Sequence, residues 1–600
     1  MKYLNRCCLA VAPLLLVGAC ATTPPPSDIE PAWQADIRVS TPGSLHVMDG
    51  SQRLVVSSNK SVYLLDASNG QEVASFPESF WDFFLRTGTT VGAEIQLGRH
   101  KESVSLDSLL WSDMYDIAAL KASSTFWMFD YRMAQERVVA VDARTGEQLW
   151  VSSDHAYSLN KYEGLIQEAA GRAGQMLANA LGARREAETH EERRARMAAF
   201  MQRVVHEIPG SQDVFFKTFN GLLLMNPRTG EMKARFDDFV GAGIADVQVL
   251  PGGDYLVLSG HTSAADLSFS QADSLARIRP GGQLRWLAQH SGSRTGGLII
   301  EDDVVLVDGS PLEAFDLRSG TKLWQAENDR RNENDHHIVV TNGNVYIASA
   351  VSGGAAGTLG GMLGDAAVTP NAVVEKRDLR SGERQWSSEP ARGQYNGLSV
   401  HQEVVLVSGH GRVFDGNIGI RALDANTGEV LWQEQELAST GWRSGPMVVS
   451  PPMVKGDLVV VVERSHVNGL DLATGKLRYR LNHADEGSGQ LLGTALYADS
   501  LVVIGSGATL GVETVSGSLR YTAHTDRVSQ YRRYDDYLVL QNPHRNVQRL
   551  NLSNGISSPV VRLHGNKDYL GDLTDGFAVD VGARQIFGIS DEGRLQGYLF

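Results

Sequence analysis

Residues 140–150 have the sequence Ala-Val-Asp-Ala-Arg-Thr-Gly-Glu-Gln-Leu-Trp, and the pattern Ala-x-Asp-x-x-x-Gly-x-x-x-Trp recurs at residues 314–324 and 422–432. Each copy begins with an apolar segment of the kind typical of a β-strand. The Asp carboxylate can accept backbone N–H groups across the turn, and the Gly can adopt a positive φ. A second short strand follows, so each copy predicts a β-hairpin.

Looser copies of this hairpin run through most of the chain, at 66–76, 226–236, 378–386 and 471–479 among other places. Their turn glycines are Gly70, Gly146, Gly230, Gly282, Gly320, Gly382, Gly428, Gly475, Gly517, Gly555 and Gly593. Two further short strands precede each hairpin, as in residues 397–400 and 404–408, so that one repeat makes one four-stranded sheet. Such a sheet has two apolar faces and is not stable alone, whereas radial stacking buries both faces.

The sequence therefore predicts an all-β fold, a β-propeller of four-stranded antiparallel blades, eight or more in number, with eleven repeat hairpins. One ring of eleven, an eight-bladed ring with appended sheets and two unequal rings remain open. The last strand, in residues 594–600, is expected to pair with residues near 34–50 and to close the ring, because closure removes an exposed sheet edge.

The Asp, Gly and Trp residues of the four clearest copies of the hairpin are predicted to dock neighbouring blades. We expect the tryptophans to wedge between blades, and a role as a cofactor platform is much less expected. The docking residues are Asp142, Gly146, Trp150, Asp316, Gly320, Trp324, Asp378, Gly382, Trp386, Asp424, Gly428 and Trp432. No catalytic, cofactor-binding or metal-binding residue is predicted.

The N-terminus has the pattern of a bacterial lipoprotein signal. Residues 1–19 contain Lys2 and Arg6, then a short apolar run that ends in Leu-Val-Gly-Ala before Cys20. Small residues before a cysteine are typical of a lipid-attachment site, so Cys20 is the predicted acylated residue. Residues 20–33, rich in Pro at their start, are predicted to form a tether, and the propeller is expected to occupy residues 34–600.

Three insertions interrupt the predicted propeller. Residues 77–125 are dense in aromatic side chains, which favours a packed extra element. Residues 158–208 have apolar residues at helical spacing and predict an α-helical hairpin, either packed on the rim or serving as a partner-docking arm. Residues 351–370 are rich in Gly and predict a disordered surface loop, with a lid or contact loop as the alternative.

Composition excludes several classes of function. The formal net charge is −15, so the chain lacks the basic excess of a general nucleic-acid binder. All three cysteines lie within the first twenty residues, which excludes disulfides and cysteine-ligated metals from the propeller. Adjacent His336 and His337 could suggest a metal site, but a solvated loop between blades is the favoured interpretation of residues 327–337. His410 and Asp415 are interpreted as residues of a Gly-rich turn.

The repeat resembles that of the PQQ-like propellers over most of residues 34–600, with three copies matching every defined position. Together with the lipid-attachment motif, it is most similar to the propeller lipoproteins of the outer-membrane β-barrel assembly machinery. The chain departs from that family in its greater length, its insertions and its eleven hairpins, where eight are expected. The resemblance implies a non-enzymatic scaffold that binds envelope proteins, including barrel-assembly components, and needs no cofactor.

The same resemblance implies a location on the periplasmic face of the outer membrane, with display on the outer surface as an alternative. A quinoprotein dehydrogenase, or a propeller that binds a ligand in its central funnel, is the alternative function. Quinoproteins of the type that carry a vicinal disulfide beside the quinone are not matched, since the mature chain has no cysteine pair. A fold alone does not establish which of these functions the chain performs.

Overall fold

The computed structural model of the protein describes residues 28–38, 42–48, 52–58, 61–77, 92–97, 100–105, 116–130, 137–152, 204–218, 221–241, 243–260, 273–291, 293–326, 331–351, 371–392, 394–410, 418–434, 450–525, 527–542, 546–558, 560–562, 577–580, 584–589 and 594–599. These residues form 48 β-strands, and eleven sheets have a core of four antiparallel strands. The four strands are successive in the chain in ten of these sheets, and the eleventh joins strands from the two ends of the propeller. We number the sheets as blades 1 to 11 in chain order.

The strands up to blade 4 are β1 (Asp28–Ile29), β2 (Trp33–Arg38), then β3 (Pro42–Met48), β4 (Arg53–Ser58), β5 (Ser61–Asp66) and β6 (Glu72–Pro77) of blade 1, the hairpin β7 (Gly92–Leu97) and β8 (His100–Ser105), then β9 (Asp116–Leu120), β10 (Thr125–Asp130), β11 (Arg137–Asp142) and β12 (Gln148–Ser152) of blade 2, β13 (Val205–Glu207), β14 (Val214–Thr218), β15 (Gly221–Met225) and β16 (Met232–Phe236) of blade 3, and β17 (Ile244–Val249), β18 (Tyr255–Ser259), β19 (Asp273–Ile278) and β20 (Leu284–His290) of blade 4.

Blades 5 to 7 contain β21 (Ser293–Glu301), β22 (Val304–Ser310), β23 (Glu313–Asp316) and β24 (Lys322–Gln325), then β25 (Arg331–Thr341), β26 (Asn344–Val351), β27 (Asn371–Asp378), β28 (Arg384–Ser387) and the added β29 (Ala391–Arg392), then β30 (Gln394–His401), β31 (Val404–His410), β32 (Gly419–Asp424) and β33 (Val430–Glu434).

Blades 8 to 11 contain β34 (Met453–Lys455), β35 (Leu458–Val462), β36 (His466–Asp471) and β37 (Leu477–Asn482), then β38 (Leu491–Tyr497), β39 (Ser500–Gly505), β40 (Ala508–Glu513) and β41 (Leu519–His524), then β42 (Gln530–Tyr534), β43 (Tyr537–Gln541), β44 (Asn546–Asn551) and β45 (Val560–Arg562), and finally β46 (Phe577–Asp580), β47 (Gln585–Ile589) and β48 (Arg594–Leu599).

Burial within a blade follows the distance of each strand from the ring axis. First strands of successive blades approach one another, for example β17 and β21 or β25 and β30, so they face the axis. Second strands such as β35 are buried at every position, because neighbouring blades cover both faces. Their continuous Val-rich sequence follows from this two-sided burial. Fourth strands such as β37 are largely exposed and form the outer rim.

The eleven blades form one closed ring. Eleven apolar clusters occur among the described residues, and each lies between two successive blades. One of them joins blade 10 to blade 11 through Val547 and Tyr598, and another joins blade 11 to blade 1 through Phe587 and Leu54. The propeller fold is confirmed with eleven blades, and the single ring resolves the three arrangements that the sequence left open. Ten of the predicted turn glycines lie between third and fourth strands, whereas Gly593 lies between β47 and β48, the second and third strands of blade 11.

The N-terminal strand β2 is the outer strand of blade 11. It pairs antiparallel with β48, with Trp33 opposite Gly597 and Gln34 opposite Gln596. The predicted pairing of the last strand with the start of the propeller is therefore confirmed. The preceding strand β1 pairs in parallel with β45 and adds a fifth strand to blade 10.

The predicted insertions need two corrections. Residues 77–125 include β9, the first strand of blade 2, so the insertion is shorter than predicted and contains the hairpin β7–β8. The predicted helical hairpin at 158–208 lies outside the described residues except for its end, where β13 pairs with β14 in blade 3. The Gly-rich loop at 351–370 also lies outside the described residues, apart from Val351 at the end of β26.

Candidate functional site

The connections between strands divide into two faces of the ring. Strands within a blade alternate in direction, so the turns between first and second strands and between third and fourth strands lie on one face, here called the turn face. Connections between second and third strands, and from one blade to the next, lie on the opposite face, here called the loop face.

All of the longest connections begin and end on the loop face. Turn-face connections are short, such as residues 302–303, 342–343 and 402–403 between first and second strands. The longest loop-face connections are residues 78–115, 153–204, 260–272, 352–370, 435–452 and 563–576. The predicted insertions are therefore all attached to the propeller at its loop face. Extra segments on one face of a repeat protein are often its binding elements, which makes the loop face the candidate interface.

The turn face is built from the predicted Asp-to-Gly turns. In blade 5, the N–H of Gly320 donates to the carbonyl of Asp316 at 2.8 Å, and Gly320 has a φ of 73°. The N–H groups of Arg318 and Ser319 donate to the Asp316 carboxylate at 3.1 and 2.8 Å. Hydrogen bonds from Ser319 hold the pKa of Asp316 below its ordinary value, as bonds from Ser381 do for Asp378. The predicted turn mechanism is confirmed.

The structure places each predicted docking tryptophan against the turn glycine of the next blade. Trp324 lies on Gly382, Trp386 on Gly428 and Trp432 on Gly475, and Trp150 lies on Gly230 in the same way. Each indole also donates its Nε1–H across the junction, as from Trp324 to the Leu379 carbonyl at 2.8 Å. The acceptor is always the residue that follows the first position of the turn.

Trp286 lies on Gly320 in the same way and donates its Nε1–H to the Leu317 carbonyl at 3.1 Å. Three further aromatic residues with this role were not identified from the sequence. Trp33 lies on Gly70 and joins blade 11 to blade 1. Tyr479 and Tyr521 lie on Gly517 and Gly555, and their hydroxyls donate to the carbonyls of Thr514 and Leu552. Each tyrosine stands four residues after its turn glycine, a spacing that could have revealed it. At two junctions, the same position holds Ala74 or Ala234.

Two predicted turn aspartates also form ion pairs across blades. Arg228 pairs with Asp142, and the same arginine donates to the Ser123 carbonyl at 3.1 Å. Arg380 lies 3.4 Å from Asp316, with its side chain largely exposed. The exposed pair of Arg380 and Asp316 contributes little free energy, whereas Asp142 is buried beside Arg228. The buried aromatic contacts recur at more junctions and make the larger contribution to docking.

The histidine runs differ from their sequence interpretation. Residues 331–341 form the strand β25, so the loop predicted for residues 327–337 is wrong for that part of the segment. His410 ends β31, and Asp415 lies outside the described residues, as does Cys20.

Among the residues that the structure describes, no group of three or more His, Cys, Asp or Glu side chains could hold a metal ion. No helix within those same ranges is long and apolar enough to cross a membrane.

A buried polar cluster lies at the loop-face end of blade 8. Glu463 follows β35 directly, and its side chain is completely buried. Arg480 donates to Oε2 of Glu463 at 3.2 Å, and Nδ1 of His466 lies 3.7 Å from the same oxygen. His483 is also buried, with Nε2 at 3.0 Å from the Glu463 carbonyl and Nδ1 at 2.6 Å from the Ser488 hydroxyl.

Burial raises the pKa of Glu463 to about 7, against the lowering influence of Arg480 and Asn468. Burial also holds the pKa values of His466 and His483 below their ordinary value. The cluster can therefore take up a proton near neutral pH, and that proton goes to the carboxylate. A charged residue at the end of a continuous apolar strand was the sequence signal for this site.

The substitution Glu463→Gln tests this protonation. Since the folded pKa lies above the unfolded value of 4.5, Glu463 stabilises the fold at low pH, and this contribution is lost as pH rises from about 4.5 to about 7. We expect the variant and the wild type to be similar at pH 5. At pH 8.5 the variant should be the more stable by roughly 1–3 kcal/mol, measured by chemical unfolding. A stability difference that does not change with pH would contradict the shifted pKa. The two histidines titrate in both proteins, so their effect cancels when the free energy of unfolding of the wild type is subtracted from that of the variant.

Comparison with known proteins gives one recurrent likeness. Residues 370–534 match the sequence profile of the family described as outer membrane protein assembly factor BamB. BamB of Legionella pneumophila (strain Paris) is 25% identical over 191 residues, which are 30% of this chain. The matched part spans 41% of that curated relative.

Solved propeller structures overlap part of the ring. BamB from Moraxella catarrhalis superposes with a TM-score of 0.34 and 16% identity, covering 59% of this chain and 96% of that one. A europium-containing methanol dehydrogenase superposes with a TM-score of 0.33 and 12% identity, covering 59% and 84%. These two overlaps do not favour one function over the other. From its repeats and its sequence match, the chain is a PQQ-like repeat propeller that resembles the outer membrane assembly factor BamB.

Proposed function

We propose that the protein is a non-enzymatic scaffold whose loop face binds protein partners during assembly of the bacterial outer membrane. The observation that carries the proposal is the placement of every long connection on one face of a rigid ring. Eleven docked blades hold the attachment points of these segments in fixed positions, and the turn face offers only short, regular turns. The resemblance to BamB supports barrel-assembly components as the first class of partner to test.

The same proposal includes a lipid anchor at Cys20 that holds the propeller at the periplasmic side of the outer membrane. The anchor is supported by the apolar run and the small residues before Cys20. Two or more acyl chains on one terminus give stable attachment, whereas a single chain gives only marginal binding. Acylation is measured by mass spectrometry of the purified N-terminal peptide.

Site-specific photo-crosslinking tests which face binds. A photoreactive residue replaces Arg464 on the loop face of blade 8, or Ala473 on the turn face of the same blade. Both positions are exposed. We expect crosslinks to envelope proteins from position 464 and none from position 473 in cells. Barrel-assembly components among the captured proteins support the proposed process, whereas a secretion or polysaccharide apparatus would contradict it. Crosslinks from position 473 alone would overturn the choice of face.

A further inference from the structure

The strand β1 fixes where the N-terminal segment joins the ring. Because β1 runs parallel to β45, Asp28 lies beside Val560 and Ile29 beside Val561. As a fourth strand, β45 runs from the turn face towards the loop face, so Asp28 is the end of β1 nearer the turn face. The chain that precedes Asp28 therefore joins blade 10 at its outer rim, on the turn-face side.

The most exposed apolar side chains gather at the same place. Val515 is 61% exposed, Ile556 60% and Leu599 54%. Every other large apolar side chain among the described residues is less exposed than these three. Val515 lies in the turn of blade 9, Ile556 directly after the turn glycine of blade 10, and Leu599 at the turn-face end of β48 in blade 11. Three consecutive blades thus present an apolar side chain on one edge, which we call the apolar edge.

The apolar edge continues into neighbouring blades. Leu431 of blade 7 and Leu477 of blade 8 are 50% and 47% exposed, and both lie in the half of their fourth strand nearer the turn face. In blades 3 and 4, which do not adjoin the apolar edge, the corresponding strands carry Met232 and Leu284, and these are less exposed, at 40% and 41%. Exposed apolar groups that cluster are a mark of an interaction surface, whereas scattered ones need no explanation.

We infer that the apolar edge, formed by Val515, Ile556 and Leu599, rests on the bilayer to which the N-terminus is anchored. The inference depends on the proposed acylation of Cys20. Residues 21–27 link that cysteine to β1, and an extended tether of this length spans about 20 Å. This reach is less than the radius of gyration of about 25 Å expected for a compact chain of 600 residues. The tether therefore keeps blades 9–11 near the lipid surface.

This position has a consequence for the orientation of the propeller. The apolar edge is on the turn face, so contact with lipid tilts that face towards the membrane. The loop face then points away from the bilayer, towards the periplasmic space where soluble partner domains lie. Three apolar side chains cannot hold a protein to a membrane alone, but the tether raises their effective concentration at its surface.

The test uses fluorescent labels at two equivalent turn positions. Ser553→Cys in blade 10 and Arg318→Cys in blade 5 both stand two residues after the first position of the turn, on opposite sides of the ring. The full-length, acylated protein is bound to phosphatidylethanolamine–phosphatidylglycerol vesicles that contain brominated lipid. We expect at least a two-fold stronger quenching of the label at position 553 than of the label at position 318.

A charged variant separates lipid contact from simple tethering. Val515→Asp, Ile556→Asp and Leu599→Asp together should reduce the quenching at position 553 while the protein stays on the vesicles. The control pair Met232→Asp and Leu284→Asp should leave the quenching unchanged. Equal quenching at both labels in acylated, vesicle-bound protein would overturn the inference and leave the proposed function intact. A protein without acyl chains would overturn the proposed anchor and the inference together.

Discussion

Removal of residues 594–600 should prevent the ring from closing and lower the melting temperature sharply. The deleted strand β48 lies between β47 and β2, so its loss separates the N-terminal strand from blade 11. Leu595 and Tyr598 are buried in the two clusters that join blade 11 to its neighbours. Burial of such side chains contributes roughly 1.5–3 kcal/mol each, and the ladder bonds of β48 add to this. The total is comparable with the whole stability of a typical domain, roughly 5–15 kcal/mol.

Differential scanning calorimetry measures this effect. The substitution Leu599→Ser is the control, because it changes an exposed side chain in the same strand and should leave the transition in place. An unchanged melting curve after the truncation would show that the ring does not depend on β48.

The second large effect is expected from Gly428→Ala. Gly428 has a φ of 76°, and an added Cβ would lie 2.5 Å from Cε3 of Trp386. The positive φ costs about 1–2 kcal/mol for a residue other than glycine, and displacement of a packed indole adds about 1–3 kcal/mol. We expect a loss of roughly 2–5 kcal/mol in the free energy of unfolding, measured with denaturant.

Gly343→Ala separates the two contributions. Gly343 has a φ of 69°, and a Cβ there would meet no atom within 4 Å. This variant should lose only the backbone part, about 1–2 kcal/mol. If both glycine variants lost the same free energy, the contact between Trp386 and Gly428 would contribute nothing to docking. Trp386→Ala is expected to cost about 3–5 kcal/mol through the cavity it leaves.

Most of the fold could be predicted from the sequence because each blade repeats the same local sequence pattern. Asp316 and Gly320 are recognisable from the turn they must form, and the alternation before them predicts a strand. The count of hairpins also followed from local patterns. The number of rings did not, because closure depends on the pairing of β2 with β48, more than 550 residues apart.

Other features were missed for physical reasons that are specific to the residues concerned. Val205 continues the helical spacing of the preceding residues, and a three-residue strand has too little periodicity of its own to compete with that pattern. His336 and His337 stand in a polar run that looks like a loop, yet ladder bonds to β26 place them in a strand. Glu463 is marked in the sequence by its place after a continuous apolar strand, but Arg480 and His483 meet it only through the pairing of strands and have no local signature.

The two faces of the ring follow from the order of the strands and could not be assigned before that order was known. Once the strands are placed, the lengths of the connections alone distinguish the loop face from the turn face. The same order places the start of β1 and the apolar edge on one side of blades 9–11. The partner-binding and lipid-facing proposals thus rest on separate faces and can fail independently.

Electron cryomicroscopy of the purified protein, with class averages viewed along the ring axis, tests the central claim most directly. A single closed ring of eleven spokes is the predicted result, with blade 11 completed by a strand from the N-terminal end of the propeller. A ring of eight spokes with separate additional density, or two rings, would contradict the account.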